Sequence, residues 1–89
     1  MAVFRGSDSG TINSTAYNIP ATIRSFSIVN TSGLTITVTV YVRDIAVTAI
    51  DYTLKEGQAY IRDAPIRMQA EDVITIVASD NVDYYFTIE

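Results

Sequence analysis

The sequence predicts an all-β fold, an antiparallel β-sandwich of the jelly-roll or Ig-like kind with about seven or eight short strands. Three observations predict it: one long stretch alternates between apolar and polar residues, turn residues recur roughly every 8–12 positions, and no stretch has a clear helical period. A small barrel has the same rhythm of strands and turns. The 89 residues suffice for a single domain, which we place at 11–89, after an N-terminal arm at 1–10.

The clearest strand covers residues 34–43, which read LTITVTVYVR. Its period of two is typical of a strand with one dry face and one wetter face. The face that we expect to meet the core carries Leu34, Ile36, Val38, Val40 and Val42. Tyr41 belongs to the opposite, outward face.

The first ten residues predict an arm outside the domain body. A short apolar patch that includes Phe4 is followed at 5–10 by two Gly, two Ser and an Asp, which together favour a loop. Two interpretations stay open at this point. The arm either frays into solvent or lies on a neighbouring subunit with Phe4 as its anchor.

The next strands follow in order along the chain. A first strand at 11–18 stops before Pro20, and a second occupies 22–29. The tight turn at 30–33, which ends in Gly33, predicts a hairpin between this second strand and the strand at 34–43. Residues 45–54 carry apolar groups on both faces, so a short helix stays open there, although the residue types favour one or two strands.

The C-terminal part of the chain predicts short strands at 59–62 and 66–69, then a clear one at 73–79. Asp80 and Asn81 tolerate left-handed backbone angles, so they predict a two-residue hairpin turn. The last strand occupies 82–89. Tyr84 and Phe86 belong to its inward face, and Tyr85 belongs to its outward face.

The charge balance argues against two classes of partner. Ten acidic residues outnumber six basic ones, for a net charge of −4. A nucleic-acid-binding face or a contact with an anionic membrane needs an excess of basic residues. No apolar run reaches the roughly 18 residues of a membrane span, and the N-terminus lacks the pattern of a signal peptide. We therefore expect a protein made in the cytoplasm that binds neither nucleic acid nor membrane.

The residue types also restrict catalysis. The sequence has no His and no Cys, so Ser-His-Asp and Cys-His arrangements and the usual zinc ligands are excluded. No phosphate-binding glycine motif occurs. A hydrolase with two carboxylates stays formally open, but most of the acids fall in turns, where Asp is favoured for backbone reasons. We expect no enzyme activity, no cofactor and no metal site.

The aromatic residues are the main candidates for binding. Of six Tyr, two, Tyr41 and Tyr85, belong to the outward faces of well-patterned strands. Tyr is enriched at protein interfaces because its ring is apolar and its hydroxyl can hydrogen-bond. Scattered surface tyrosines and a sugar-stacking platform are the alternatives. We predict an interface that includes Phe4, Tyr41 and Tyr85.

Two stretches in the second half resemble small β-sandwich proteins of tailed-phage virions. They are YTLKEG at 52–57 and DAPIRMQAEDVITI at 63–76. Such proteins show a Leu-x-x-Gly turn and then a Pro-Ile-x-Leu-x-Ala-Gly-Asp-x-Ile stretch that leads into a strand. The stretch at 25–31 and the Thr/Val strand after it are similar to the first half of these proteins. Here Glu71 stands where Gly is usual.

The resemblance implies a structural component of a virion. It implies in first place a capsid auxiliary (decoration or cement) protein that clamps major capsid subunits, often as a homo-trimer. A neck, tail or fibre-base component is the nearest alternative, and a carbohydrate-binding sandwich module is another. The localisation implied is the virion.

Overall fold

The computed structural model describes residues 2–89, and every strand pair in it is antiparallel. The prediction of an all-β antiparallel protein is confirmed, with no helix in residues 2–89. The eight strands are β1 (Ala2–Asn13), β2 (Ala21–Asn30), β3 (Ile36–Val42), β4 (Ile45–Ala46), β5 (Tyr52–Leu54), β6 (Ala59–Arg62), β7 (Ile66–Met68) and β8 (Ile74–Ile88).

Strand β8 is the centre of the single sheet. β1 pairs with it from Ile88 back to Thr75, so β1 occupies one edge of β8. A strand has only two hydrogen-bonding edges, and β2 and β3 therefore follow each other along the other edge. β2 pairs with residues 82–88 and β3 with residues 74–78. The short strands β6 and β7 then line β2, and β4 and β5 line β3.

Two predicted hairpins are wrong. β2 and β3 do not pair with each other, because each pairs instead with its own half of β8. The predicted turn at Asp80 and Asn81 lies inside β8, which continues through both residues. Ala78 and Val82 are both buried on the core side, so the strand keeps its alternation through residues 79–81, although Asp80 interrupts the apolar pattern between them.

The predicted loop at 5–10 is also wrong, since these residues belong to β1. Pairing with β8 gives this Gly- and Ser-rich segment backbone partners that its composition does not reveal. Ser7 Oγ donates a hydrogen bond to Asp83 Oδ1 (2.5 Å), and the ring of Tyr84 lies over Gly6. The predicted first strand at 11–18 retains only its first three residues. The division into an arm and a domain stays a prediction.

The sheet bends at its middle. A straight strand as long as β8 would span about 46 Å, but the longest dimension of the molecule is 37 Å. The pairing of β1 with β8 shifts register between Asp8 and Gly10, where Gly10 takes a φ of 76°. At the same level the Thr31 N–H donates to the Asn81 carbonyl (3.3 Å). The result is one curled half-barrel, so the two-layer sandwich is not confirmed.

The core fills the concave side of this sheet and draws on both halves. Phe86 and Phe26 stack there with ring centroids 4.7 Å apart. Val38 and Ile76 come from the other half of the sheet, and all four are almost fully buried, as the alternation predicts. The buried apolar residues are Ile12, Ile23, Phe26, Ile28, Ile36, Val38, Val40, Val42, Leu54, Met68, Ile74, Ile76, Ala78, Val82, Phe86 and Ile88.

Three connections use left-handed backbone angles without glycine: the one before β5, where Asp51 has a φ of 54°, and two that are tied together. Arg43 and Asp44 have φ values of 50° and 61° in the two-residue loop between β3 and β4, and Glu71 has a φ of 72° just before β8. The neighbouring Asp72 is buried, and its Oδ1 lies 2.6 Å from Arg43 Nε. Its Oδ2 accepts the Gln69 N–H (2.8 Å), so this carboxylate ties the two connections together.

Candidate functional site

The outer face of the sheet, opposite the core, presents exposed apolar side chains. It is formed by the odd-numbered residues of β8 and their cross-strand neighbours, because side chains alternate across a strand. Four of its residues are large, hydrophobic and exposed: Val3 (44%), Ile61 (67%), Val77 (40%) and Tyr85 (44%). Apolar groups grouped on one regular surface mark a candidate binding face.

Tyr85 lies at the centre of a row that crosses four strands. Arg5 on β1 and Ser27 on β2 are its cross-strand partners, and Ile61 on β6 is the partner of Ser27. Directly opposed residues in antiparallel strands point to the same side, so all four side chains belong to the outer face. The row therefore combines one aromatic, one aliphatic, one hydroxyl and one cationic group.

A shallow groove of about 400 Å³ runs beside this row. Its lining includes Arg5, Ser7, Val29, Asp83 and Tyr85. The Asp83 carboxylate, which accepts a hydrogen bond from Ser7 Oγ, makes one end of the groove acidic, and Arg5 makes the other end basic. An aromatic ring flanked by hydroxyls and one charge of each sign can bind a partner by stacking and hydrogen bonding.

Tyr41 is half-buried and lies far from Tyr85. Its cross-strand partners are Thr75 on β8 and Ala46 on β4. Thr75 and Tyr85 belong to the same face of β8 but are ten residues apart, about 33 Å along a straight strand. Tyr41 and Tyr85 thus share the outer face without forming one site.

Phe4 lies on the core side of β1, and its ring centroid is 4.9 Å from that of Tyr84 and 5.5 Å from that of Phe86. It is half-buried at the margin of the core, since β1 is the outermost strand on this side. Burial raises the pKa of the Tyr84 phenol above 10.0, and the negative charge of Asp8 raises it further. The role of Phe4 as an anchor on a neighbour stays a prediction.

Arg5, Ile61 and Asp83 are three residues of this face that sequence reasoning did not include in the predicted interface. Ile61 carries a usable signal, because it alternates with Tyr60 and Arg62 in a short strand. Arg5 has none, since its position opposite Tyr85 depends on the pairing of the first strand with the last. Such a long-range register is not encoded in local sequence patterns.

The described residues 2–89 contain no group of three or more His, Cys, Asp or Glu arranged to hold a metal ion. Nor do these residues include a helix of the length and hydrophobicity needed to cross a membrane. Comparisons with protein-family models, curated proteins and solved structures give no significant match for the chain. The outer face and its groove are therefore the features on which a functional proposal can be based.

Proposed function

We propose that this chain is a non-enzymatic structural component of a tailed-phage virion, in first place a capsid auxiliary (decoration or cement) protein that binds and stabilises neighbouring capsid subunits. The observation that supports a docking role is the outer face around Tyr85, where aromatic and aliphatic side chains are exposed on a regular sheet. The motifs at 52–57 and 63–76 supply the class of partner. A two-layer sandwich, with the two halves of the bent sheet as its layers, is part of the proposal.

The composition of the outer face suits a protein partner. Tyr85 offers an apolar ring and a hydroxyl at the centre, as do many residues that dominate binding energies. Val3 and Ile61 extend the apolar area to either side. Arg5 and Asp83 border it with one charge of each sign, which fits the polar rim of a typical interface. The complementary surface on a capsid subunit has an apolar centre and charged groups at its margin.

Purified virions of the phage that carries the gene provide the first test. Quantitative mass spectrometry of density-gradient particles measures the number of copies of this chain relative to the major capsid protein. A capsid auxiliary protein gives comparable numbers, whereas a neck, tail or fibre-base component, the alternative within the proposal, gives far fewer. Absence of the chain from intact particles overturns the virion role.

Rebinding to particles that lack the chain tests the outer face. We expect Tyr85→Ala to weaken binding about tenfold or more, because truncation of a central aromatic residue removes a dominant contact. Leu34→Ala is the matched control, since Leu34 is 62% exposed and lies in the connection between β2 and β3. Equal effects of the two substitutions would show that the face around Tyr85 is not the contact.

The groove favours a second candidate function, a carbohydrate-binding module. A sugar can stack on the exposed ring of Tyr85 while Arg5 and Asp83 hydrogen-bond its hydroxyl groups. A glycan array with the full chain, followed by titration calorimetry of any hit against Tyr85→Ala, tests this function. Glycan binding lost with Tyr85 supports it, and an array without hits overturns it.

A further inference from the structure

The open edge of β1 is the longest unpaired backbone edge in residues 2–89. β1 has 12 residues and pairs only with β8. The other edges of the sheet are made of strands of two to four residues, β4, β5, β6 and β7, with Pro65 between the last two. Short, interrupted edges resist the addition of a further strand, whereas a long edge is a template for one.

We propose that a second copy of this chain adds its own β1 antiparallel to this edge, about a twofold axis at Gly6. Within the described residues, only β1 offers an open edge long enough to match β1, which favours an isologous contact between two copies. The contact extends the sheet across the axis and keeps both cores on the same side. This contact between two copies does not depend on the virion role. It predicts a dimer, whereas the resemblance implies a trimer.

The register of this contact is set by which residues must lie on the same face of the sheet and by which charged residues would oppose each other. The two cores lie on the same side of the joined sheet only if even-numbered residues oppose even-numbered ones and odd-numbered residues oppose odd-numbered ones. The regular part of β1 is 2–8, before the irregularity at Gly10. An axis at Arg5 opposes two arginines, which is destabilising, and an axis at Ser7 leaves only residues 6–8 of the regular part in register. Axes at Phe4 and at Gly6 each pair five residues of the regular part, 2–6 and 4–8, and oppose no like charges. Only the Gly6 axis brings Arg5 opposite Ser7, whereas the Phe4 axis places Arg5 opposite Val3, so we choose the Gly6 axis.

In this register Arg5 of each copy lies opposite Ser7 of the other. The Ser7 hydroxyl is bonded to Asp83, so the Arg5 guanidinium approaches an acidic pair across the junction. Arg5 makes no ion pair within residues 2–89, so its positive charge is available to pair with Asp83 of the other copy. Phe4, half-buried beside the open edge, becomes covered by the added strand.

Cysteine trapping tests the register directly, because the chain has no native cysteine. Opposed residues in an antiparallel pair have Cα atoms about 4.5–5.5 Å apart, within reach of a disulfide, whereas diagonal neighbours are about 7–8 Å apart. We expect differently tagged Arg5→Cys and Ser7→Cys chains, mixed and oxidised, to form heterodimers about tenfold faster than either forms homodimers. Ile61→Cys, exposed on the opposite edge, measures random collision.

Each outcome of the crosslinking experiment leads to a different conclusion. Faster self-crosslinking of Arg5→Cys or of Ser7→Cys moves the axis away from Gly6 and overturns the Gly6 register. Rates for all pairs equal to that of Ile61→Cys overturn the β1 contact itself. Virion mass spectrometry is unaffected by either result, so failure of this inference and failure of the virion role are distinguishable.

A charge exchange tests the same contact without cysteines. Sedimentation equilibrium of the native chain should give twice the chain mass of 9.8 kDa at high concentration. Arg5→Glu should shift the population to monomer, and Asp83→Arg added to it should restore the dimer, since the opposed charges are then exchanged. A mass of three chains, a monomer at every concentration, or no rescue by the double substitution contradicts the proposal.

Discussion

Asn30 is buried and its side chain is fully engaged. Its Nδ2 donates to the carbonyls of Leu34 (2.5 Å) and Leu54 (3.1 Å), and its Oδ1 accepts from the N–H and hydroxyl of Ser32 (3.0 and 2.7 Å). The residue therefore ties the connection between β2 and β3 to the end of β5. Sequence reasoning placed Asn30 in a tight turn because its side chain can hydrogen-bond nearby backbone. That accounts for its bonds with Ser32 and Leu34, but not for its bond with Leu54. The bond to Leu54 spans 24 residues and leaves no local signal.

Replacement of Asn30 by Ala should lower the free energy of unfolding by about 2–3 kcal/mol. The reason is that the buried carbonyl of Leu54 loses the Asn30 Nδ2 donor, and the bonds of Asn30 with Leu34 and Ser32 are lost as well. Urea titration measures the change. Asn81→Ala, at an exposed position within β8, should change stability by no more than about 0.5 kcal/mol. Equal losses in the two variants would contradict this account.

The partly buried phenol of Tyr84 predicts a loss of stability in alkaline solution. Burial first, and the charge of Asp8 second, raise its folded-state pKa above 10.0. The unfolded chain then releases the proton at lower pH than the folded chain, so the stabilisation is complete below about pH 10 and is lost as pH rises through the folded-state pKa. Urea midpoints measured across this range should fall less steeply for Tyr84→Phe than for the native chain.

Tyr17 supplies the second contribution to the same decline. Burial raises the pKa of its phenol, while a hydrogen bond with Ser14 partly opposes the rise. The urea midpoint of the double variant Tyr17→Phe with Tyr84→Phe should therefore fall less steeply with rising pH than the midpoint of either single variant. An unchanged slope in Tyr84→Phe would show that its phenol titrates alike in the folded and unfolded chains.

At the scale of elements, alternation predicted the strands better than turn residues predicted their connections. The periods at 22–29, 34–43 and 73–79 correspond to β2, β3 and the first part of β8. The expectation that Leu34 meets the core is wrong, since β3 begins at Ile36 and Leu34 is 62% exposed. Asp80 and Asn81 have the residue types of a hairpin turn, yet β8 pairs with β1 both before them, at Ala78, and after them, at Val82, which keeps the chain extended. The partners of a strand depend on contacts distant in sequence, and local turn chemistry cannot specify them.

The connection before β8 carries a strained residue that can be relieved. Glu71 has a φ of 72°, a conformation that costs a residue with a Cβ about 1 kcal/mol and costs Gly nothing, and its N–H donates to the Tyr17 carbonyl (2.6 Å). Glu71→Gly keeps this N–H but adds freedom to the unfolded chain, so it should raise the free energy of unfolding by about 0.5 kcal/mol, measured by urea titration.

Glu56→Gly is the matched control for this substitution. Glu56 is an exposed Glu in the turn between β5 and β6, and its φ is not positive. Glycine there adds freedom to the unfolded chain without relieving strain, so this variant should lose a few tenths of a kcal/mol or more. The two substitutions have opposite expected signs, and a loss in both would rule out backbone strain at Glu71.

At the scale of the whole molecule, the two halves of the bent sheet depend on the same two strands. β1 and β8 pass through both halves, and the core of one half continues into the core of the other. Within residues 2–89 this continuity brings 16 buried apolar side chains into one cluster. It leaves the opposite side of the sheet, with Tyr85, and the open edge of β1 available for contacts with other chains.

Shared strands predict that the molecule unfolds as one unit. Ile76 is fully buried in the half formed with β3, and Ile76→Ala should cost about 2–5 kcal/mol. Because unfolding is cooperative, amide hydrogen exchange of Phe26 and Ile28 in β2, in the opposite half, should accelerate by the same free energy. Ile61→Ala, at a residue 67% exposed, should leave these rates nearly unchanged. Slow exchange retained in β2 of Ile76→Ala would mean that each half unfolds separately, despite the strands they share.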